Sequence, residues 1–304
     1  MEFCDEKFSS NQQIKAPESR IGVYGRHFHF IGAGGIGMSG LAKVLLRNEA
    51  IVTGSDQQHS NVTDMLCRLG ADIKIGHRTE HLNVQTDAVI ISAAIKEDNP
   101  ELQAARERGC RVYKYAEMLG KLMDGYDGIA ISGTHGKSTT CGWLVWCLKQ
   151  AGFEPNYIVG GDITQLGGSS GVGDGDLFVA EACEYDRSFV NLSPRIAAIL
   201  NIEQDHLDCY KDEQQIIEAF GEFALRLKRG GVLIVNGTDS NICKLVERLG
   251  EGINIETFGI DCGCDFEARD IRLVSGFYQF DIYHNKFPGY YSRSSHNLAW
   301  SLPD

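Results

Sequence analysis

The sequence lacks several features that would place it in a specialised class of proteins. No apolar run among its 304 residues approaches the ~20 residues that a membrane-spanning helix needs. Positive charge is scarce, since 29 Lys and Arg residues face 41 Asp and Glu residues, for a net charge of −12. Binding to a nucleic-acid backbone needs a basic surface, so we expect no nucleic-acid partner. Nucleotides are not excluded, because a few local groups hold them.

Signals for secretion and for a structural zinc site are also lacking. Charged residues occupy four of the first seven positions, before any apolar run, which is not the pattern of a secretory leader. The ten cysteines are scattered, and the close pair Cys262 and Cys264 has no second pair at zinc-ligand spacing. We therefore expect a cytoplasmic protein with free thiols, because disulfides need an oxidising compartment.

What the sequence contains is a regular alternation of apolar runs of strand length and amphipathic stretches of helix length, which is typical of α/β proteins. At ~150 residues per domain, the length suggests two domains. After an N-terminal extension at 1–24, we predict a Rossmann-like domain with a parallel sheet at 25–125. A P-loop-type ATPase domain follows at 126–288. Its sheet is predicted to be mixed, because its last part alternates like an antiparallel hairpin.

A glycine loop lies between the first predicted strand and helix. The segment GAGGIG at residues 32–37 satisfies the pattern G-x-G-x-x-G, in which glycines let backbone amides approach a diphosphate at the positive end of a helix. Asp56, at the end of the next strand, is placed to accept a hydrogen bond from a ribose hydroxyl. Taken alone, this pattern indicates an NAD-binding domain, and the identity of the diphosphate stays open.

A second glycine loop follows a buried strand and opens a helix. Its residues are Gly133, Thr134, His135, Gly136, Lys137, Ser138 and Thr139. Backbone amides there can cradle phosphates, the Lys137 ammonium can neutralise the outer phosphates, and the Ser138 hydroxyl can bind Mg²⁺. The usual phosphate loop has a further glycine where this chain has Ile131, but none of these roles requires it. The loop therefore predicts ATP and Mg²⁺ as cofactors.

Two acidic clusters end strands that neighbour this loop. Glu181 and Glu184 follow one apolar strand, and Glu203, Asp205 and His206 follow another. The carboxyl ends of parallel strands meet at the edge of the sheet where α/β proteins bind ligands. Mg²⁺ prefers oxygen ligands, so the clusters support the prediction of magnesium beside the loop. For any one of these side chains taken alone, a solvated loop or a structural histidine is the simpler interpretation.

The segments HFIGAGGIGMSGLA, AISGTHGKSTT, VAEACEYDRSF and ILNIEQDHLDCY occur in an order that resembles the Mur ligases, over roughly residues 28–289. The resemblance implies a ligase that uses ATP to phosphorylate a carboxylate, after which an amine attacks the acyl phosphate to form an amide. It implies UDP-N-acetylmuramate and L-alanine as substrates, in peptidoglycan precursor synthesis. In such proteins the first loop holds UDP and not NAD. Gly34, Gly35, Gly37 and Asp56 would then lie at the sugar nucleotide.

The resemblance also assigns roles at the second loop. Lys137 would contact the ATP phosphates, and Ser138 and Glu181 would share the first Mg²⁺. His206 would bind or orient a second Mg²⁺. Lys137, Glu181 and His206 are thus the expected catalytic residues.

The end of the chain departs from the family pattern. The resemblance implies a third domain, of about 130–150 residues, that supplies amino-acid contacts. Here residues 289–304 form an aberrant tail that predicts neither strand nor helix. We expect a truncated or frameshifted chain that binds the sugar nucleotide and turns over poorly. The alternatives are a non-catalytic nucleotide-binding remnant, a ligase that attaches a preformed peptide to the same sugar nucleotide and, on the first loop alone, an NAD-dependent dehydrogenase.

Overall fold

The computed structural model of the protein describes residues 22–205, 209–285 and 292–294. These residues form two sheets that are flanked by helices, which confirms the predicted α/β fold. Residues 1–21 of the predicted N-terminal extension and most of the predicted tail lie outside the described residues. The proposed domain limits at 125 and 288 stay predictions.

The first sheet is entirely parallel. Its five strands are β1 (His27–Ile31), β2 (Ile51–Asp56), β3 (Asp72–Ile75), β4 (Ala88–Ile91) and β5 (Arg111–Lys114). The helices that follow its strands are α1 (Ile36–Arg47), α2 (Asn61–Arg68), α3 (Pro100–Glu107) and α4 (Tyr115–Met123). The strand order is β3-β2-β1-β4-β5, so the chain reverses direction across the sheet beside β1. A crevice at such a switch point, beyond the carboxyl ends of the strands, is where doubly wound sheets bind ligands.

The second sheet is mixed, as predicted. Its strands are β6 (Asp127–Ser132), β7 (Asn156–Ile158), β8 (Ser170–Gly171), β9 (Leu177–Glu181), β10 (Ile196–Ile199), β11 (Val232–Asn236), β12 (Asn254–Ile260), β13 (Phe266–Val274), β14 (Phe277–His284) and β15 (Ser292–Ser294). Their order is β15-β14-β13-β12-β11-β10-β6-β9-β7-β8. The pairs β13–β14, β14–β15 and β7–β8 are antiparallel, and the other pairs are parallel. The helices of this part are α5 (Lys137–Gln150), α6 (Glu213–Ala224) and α7 (Ser240–Leu249).

Capping residues in the sequence fix where several of these helices begin. Side chains of Ser60, Asn99, Asp212 and Asp239 accept hydrogen bonds from backbone amides in the first turns of α2, α3, α6 and α7. Each such bond satisfies an amide that has no partner within its own helix and stabilises the helix by about 1 kcal/mol. The helix starts are therefore determined locally.

Helix α1 packs against the edge of the second sheet. Lys43 Nζ donates a hydrogen bond to Ser170 Oγ at 3.0 Å. A Cβ atom at Gly40 would lie 3.1 Å from side-chain atoms of both Ile158 and Ser170, so the close approach of this helix to β7 and β8 depends on glycine. The helix that follows the first glycine loop thus lies directly on the second sheet.

Two details differ from the sequence-based expectations. Strand β15 lies in the tail that predicted no strand, because β14 offers it an edge for antiparallel pairing. The expectation of free thiols is wrong for Cys262 and Cys264, which form a disulfide across a tight turn at Gly263, with the Cα atoms 5.4 Å apart. Seven further cysteines of the described residues are free. No helix in the described ranges is both long and apolar enough to cross a membrane.

Candidate functional site

The second glycine loop is a short turn between β6 and α5. Gly133 has a φ of 145° and Gly136 has a φ of 83°, conformations that residues with a Cβ rarely adopt. A Cβ atom at Gly133 would also lie 3.0 Å from the Cβ atom of Leu200. Glycine is therefore required at both positions, and the missing glycine at Ile131 falls within the buried strand and outside the turn.

Residues that follow β10 hold this turn in place. The Thr134 amide donates to the Asn201 carbonyl at 3.1 Å, and the His135 amide donates to Asn201 Oδ1 at 2.8 Å. The Glu203 amide donates to Thr134 Oγ1 at 2.9 Å. Because its backbone is tied to the neighbouring strand end, the turn keeps its shape without a ligand.

Lys137 reaches back over the turn. Its Nζ atom donates to the Gly133 carbonyl at 2.6 Å and to the Thr134 carbonyl at 3.1 Å. The same ammonium lies 2.9 Å from both carboxylate oxygens of Glu184, whose side chain is only 3% exposed. A lysine ammonium has three donors, and all of them have acceptors here. The lysine is thus held at the mouth of the turn, where it can exchange these acceptors for phosphate oxygens.

The start of α5 presents donors beside this ammonium. The first amides of any helix have no intrahelical acceptor, and the helix dipole adds positive potential at that end. Ser138 and Thr139 are half-buried in this first turn, whereas His135 and Gly136 are exposed to solvent. The predicted phosphate-binding residues therefore lie together around one turn whose His135 and Gly136 are open to solvent.

Glu181 ends β9 next to the same turn. It pairs with Ile131 across the parallel strands β6 and β9, and its Oε1 atom accepts a hydrogen bond from the Gly160 amide at 2.7 Å. A Cβ atom at Gly160 would lie 2.7 Å from Glu181 Oε2, so glycine there leaves room for the carboxylate. Burial and the charge of Glu181 together raise the pKa of the Cys141 thiol on α5. Glu181 thus faces the helix that follows the phosphate loop.

Asp56 is bound to the first glycine loop. Its Oδ2 atom accepts a hydrogen bond from the Gly34 amide at 2.8 Å. The carbonyl of Ser55 accepts hydrogen bonds from the amides of Gly32 and Ala33, at 2.8 and 3.0 Å. The end of β2 therefore shapes the loop that follows β1, and the predicted residues of the sugar-nucleotide site lie at one corner of the first sheet.

Tyr115, at the start of α4, lies between the first glycine loop and the end of β9, a position that no sequence motif indicates. Helix α1 begins after its N-cap residue Gly35. A Cβ atom added at Gly37, in the first turn of this helix, would lie 2.5 Å from the Tyr115 ring. Burial raises the pKa of the Tyr115 hydroxyl, and the charges of Glu181 and Cys183 raise it further. The neutral phenol therefore lies between the start of α1 and the acidic end of β9.

His206 lies outside the described residues, so its role stays a prediction. Within the described residues, no group of three or more His, Cys, Asp and Glu side chains is arranged to hold a metal ion. The donors at the turn nevertheless suit a magnesium nucleotide, because the Ser138 hydroxyl and the Glu181 carboxylate supply oxygen ligands and nucleotide phosphates supply others. Sequence reasoning placed Glu184 among the acids beside the loop but did not predict that it pairs with Lys137, and it missed the role of Asn201.

Models of two protein families match consecutive parts of the chain. The Mur ligase family catalytic domain matches residues 27–127, and the Mur ligase middle domain matches residues 131–294. The chain belongs to the Mur ligase family.

Curated Mur ligases are similar over most of the chain. A UDP-N-acetylmuramate–L-alanine ligase of Caldicellulosiruptor saccharolyticus is 42% identical over 261 residues, covering 86% of this chain and 57% of the relative. The ligase of the same name from Clostridium botulinum strain Hall is 43% identical over 248 residues, covering 81% of this chain and 53% of the relative. The chain thus spans about half the length of the curated relatives it matches.

Solved Mur ligase structures share the fold. The UDP-N-acetylmuramate:L-alanyl-gamma-D-glutamyl-meso-diaminopimelate ligase of Neisseria meningitides superposes with a TM-score of 0.75 at 26% identity, over 85% of this chain and 84% of that one. The UDP-N-acetylmuramate-alanine ligase of Thermotoga maritima superposes with a TM-score of 0.70 at 25% identity, over 85% of this chain and 58% of that one. The two-sheet arrangement is therefore that of Mur ligases.

Proposed function

We propose that these residues form the nucleotide-binding part of an ATP-dependent ligase that joins L-alanine to UDP-N-acetylmuramate in peptidoglycan precursor synthesis. The observation that carries the proposal is the turn at 133–136, whose carbonyls and the neighbouring Glu184 hold the Lys137 ammonium, beside strand β9, which pairs with β6 and ends at Glu181. The names of the relatives that are 42% and 43% identical support the choice of substrates.

The proposed reaction must bring two anions together. A carboxylate oxygen of the sugar nucleotide attacks the γ-phosphorus of ATP, the bond to the bridging oxygen breaks, and ADP leaves. The amine of alanine then attacks the acyl carbon, a C–N bond forms, and phosphate leaves. Repulsion between carboxylate and phosphate is the main electrostatic obstacle, and positioned positive charge is the usual way to lower it.

Lys137 supplies that charge from this chain. Its side chain is only 15% exposed, and its ammonium is oriented by the carbonyls of Gly133 and Thr134. Glu184 keeps the ammonium directed into the turn, because the carboxylate is buried and cannot follow it outward. When bound, Mg²⁺ at Ser138 and Glu181 would add further positive charge beside the γ-phosphate.

The first loop is proposed to hold the sugar nucleotide. The amides at the start of α1 suit a diphosphate, and Asp56 at the end of β2 suits a ribose hydroxyl. Helix α1 packs on β7 and β8 at the edge of the second sheet. A ligand bound at the start of α1 would therefore lie on the same side of the molecule as these two strands.

Calorimetric titration and trapping of the acyl phosphate test the proposal together. We expect separate binding of UDP-N-acetylmuramate and of Mg·ATP, and we expect ATP-dependent formation of a hydroxamate when hydroxylamine replaces the amino acid. Parallel assays with L-alanine and with a preformed peptide as acceptor distinguish the two kinds of ligase. Binding of NADH in place of the sugar nucleotide would contradict the proposal.

A further inference from the structure

A buried polar network lies next to the first glycine loop, at the carboxyl end of β2. Its centre is Glu101, whose side chain is fully buried in the first turn of α3. An ionised carboxylate at a fully buried position is costly unless every oxygen is hydrogen-bonded. The sequence showed Glu101 only as an ordinary acidic residue after Asn99 and Pro100 at a helix start.

Four donors converge on this carboxylate. Its Oε2 atom accepts hydrogen bonds from Ser55 Oγ at 2.6 Å and from His29 Nε2 at 3.0 Å. Its Oε1 atom accepts from the Arg78 amide at 2.9 Å and from His81 Nδ1 at 3.0 Å. Because the pKa of the Glu101 carboxyl lies below its ordinary value, the group is ionised at neutral pH. An ionised carboxylate can only accept hydrogen bonds, so both histidine nitrogens donate to it.

The neighbouring groups are consistent with one set of proton positions. Ser55 Oγ donates to Glu101, so it accepts from His77 Nδ1 at 2.8 Å. His29 Nε2 donates to Glu101, and its other nitrogen lies 2.9 Å from Thr53 Oγ1. Burial alone would raise the pKa of the Glu101 carboxyl, but hydrogen bonds from His29, Ser55 and Arg78 outweigh burial and lower it.

The network is connected to the glycine loop through the carboxyl end of β2, where Ser55 makes the direct link. The side chain of Ser55 bonds to Glu101, and the carbonyl of Ser55 accepts the amides of Gly32 and Ala33. The next residue, Asp56, accepts the Gly34 amide. The segment that follows β3 contacts the same region. The Gly76 amide donates to the Asp56 carbonyl at 2.7 Å, and the Arg78 amide, two residues later, donates to Glu101.

We propose that Glu101 is the positioning residue of the first glycine loop, acting through Ser55 to hold the backbone amides at a geometry that fits the diphosphate of a sugar nucleotide. Glu101 itself does not touch the ligand. The inference rests on the proposed function of this loop and adds the group that holds it in shape.

The variants Glu101→Gln and Ser55→Ala test the link. Glutamine has the size of glutamate, but its side-chain NH2 group would point its own hydrogens at two of the groups that donate to Glu101. Ser55→Ala leaves the Glu101 carboxylate in place and removes only the hydroxyl that links it to the end of β2. Glu107→Gln, an exposed position on the same helix, is the matched control.

Calorimetry would measure the dissociation constants of UDP-N-acetylmuramate, UDP and Mg·ATP for each variant. We expect Glu101→Gln and Ser55→Ala each to weaken both uridine nucleotides at least ~10-fold and to leave Mg·ATP within ~twofold. The double variant should bind no more weakly than the weaker single variant, because both changes break one link. The control should bind like the parent.

Three outcomes would overturn the inference. Parent-like binding of the sugar nucleotide by folded Glu101→Gln is one, and additive losses in the double variant are another. If Glu101→Gln fails to fold, parent-like binding of the sugar nucleotide by Ser55→Ala would overturn the inference in its place. Failure of the parent itself to bind UDP-N-acetylmuramate would instead refute the proposed function, and with it this role for Glu101.

Discussion

Both glycine loops of this chain lie between a strand and a helix, but the side chains that hydrogen-bond to their backbones carry opposite charges. In the first loop an acidic side chain, Asp56, accepts a hydrogen bond from a loop amide. In the second loop a basic side chain, Lys137, donates to loop carbonyls. Backbone amides are present at both turns, so under the proposed function the side-chain charge beside each turn would separate a diphosphate sugar ligand from a triphosphate.

The supports of the loops differ as well. The first turn is held from behind by a buried network of histidines around Glu101, within the first sheet. The second turn is held from beside by Asn201 and Glu203, which follow the neighbouring strand. A change in one support should therefore affect one ligand and spare the other, which the following predictions use.

Replacing Lys137 by alanine should have the largest effect. It removes the positive charge at the second turn, so Mg·ATP should bind at least ~100-fold more weakly and turnover should fall ~1,000-fold. UDP-N-acetylmuramate binding should stay within ~twofold of the parent. Calorimetry with both ligands measures this, and Lys149→Ala, at the far end of the same helix, is the control. Retention of tight Mg·ATP binding would contradict the role of Lys137.

Replacing Glu181 by glutamine should have the next largest effect. The amide keeps an acceptor for the Gly160 amide but loses the charge that would hold Mg²⁺, so turnover should fall ~100-fold. The Mg²⁺ concentration needed for half-maximal activity should rise. Glu154→Gln, an exposed change, should leave both quantities at the parent level. An unchanged magnesium dependence would remove Glu181 from the site.

Replacing Asp56 by asparagine should weaken the sugar nucleotide ~10-fold, by the loss of a charged acceptor for a ribose hydroxyl, and leave Mg·ATP unchanged. Asp56→Asn should thus weaken binding of the sugar nucleotide alone, whereas Lys137→Ala should weaken binding of Mg·ATP alone. Titration of both nucleotides measures it, with Asp72→Asn on the exposed edge of the first sheet as control. Equal losses of both ligands would show that the loops are not independent.

Acidification should destabilise the first sheet before the second, which is the smallest expected effect. Burial and the neighbouring His29 lower the pKa of His27, and Asp87 offsets this only in part. As the pH falls below the ordinary value of 6.5, the unfolded chain takes up a proton that folded His27 does not, so stability falls. The contribution of Glu101 is present above its ordinary pKa of 4.5 and is lost as the pH falls through its lowered folded pKa.

Urea unfolding at several pH values measures this difference. Trp143 and Trp146 on α5 report the second sheet, whereas far-ultraviolet circular dichroism reports both. Between pH 7.5 and 5.5, the circular-dichroism midpoint should fall more than the fluorescence midpoint. His27→Gln, which keeps a donor for Thr53, should flatten that fall. Equal shifts of both midpoints would contradict the prediction.

Much of the fold was predictable because its signals are local. The strands that flank both glycine loops are continuous apolar runs, and the hairpin of β13 and β14 alternates in the way that a two-sided strand pair requires. Short or edge strands gave no such signal. β7 has three residues and β5 reads RVYK, so both form only because a neighbouring strand offers them hydrogen bonds.

The candidate site divides in the same way. Glycines, Lys137 and Ser138 were recognisable because their order along the chain creates the turn and the helix start. Glu184 was expected near the loop, but its pairing with Lys137, 47 residues away, was not predicted. Proximity of that kind depends on the order of strands in the sheet, which local patterns do not state.

By itself, the sequence determined the two turns, since φ angles open to glycine and charges adjacent in the chain act over a few residues. Only the tertiary structure decided what supports the first turn from within the fold, because His29, Ser55 and His81 meet Glu101 through strand pairing and helix packing over 20 to 72 residues of chain. A buried carboxylate is tolerated only where such packing brings enough donors to it.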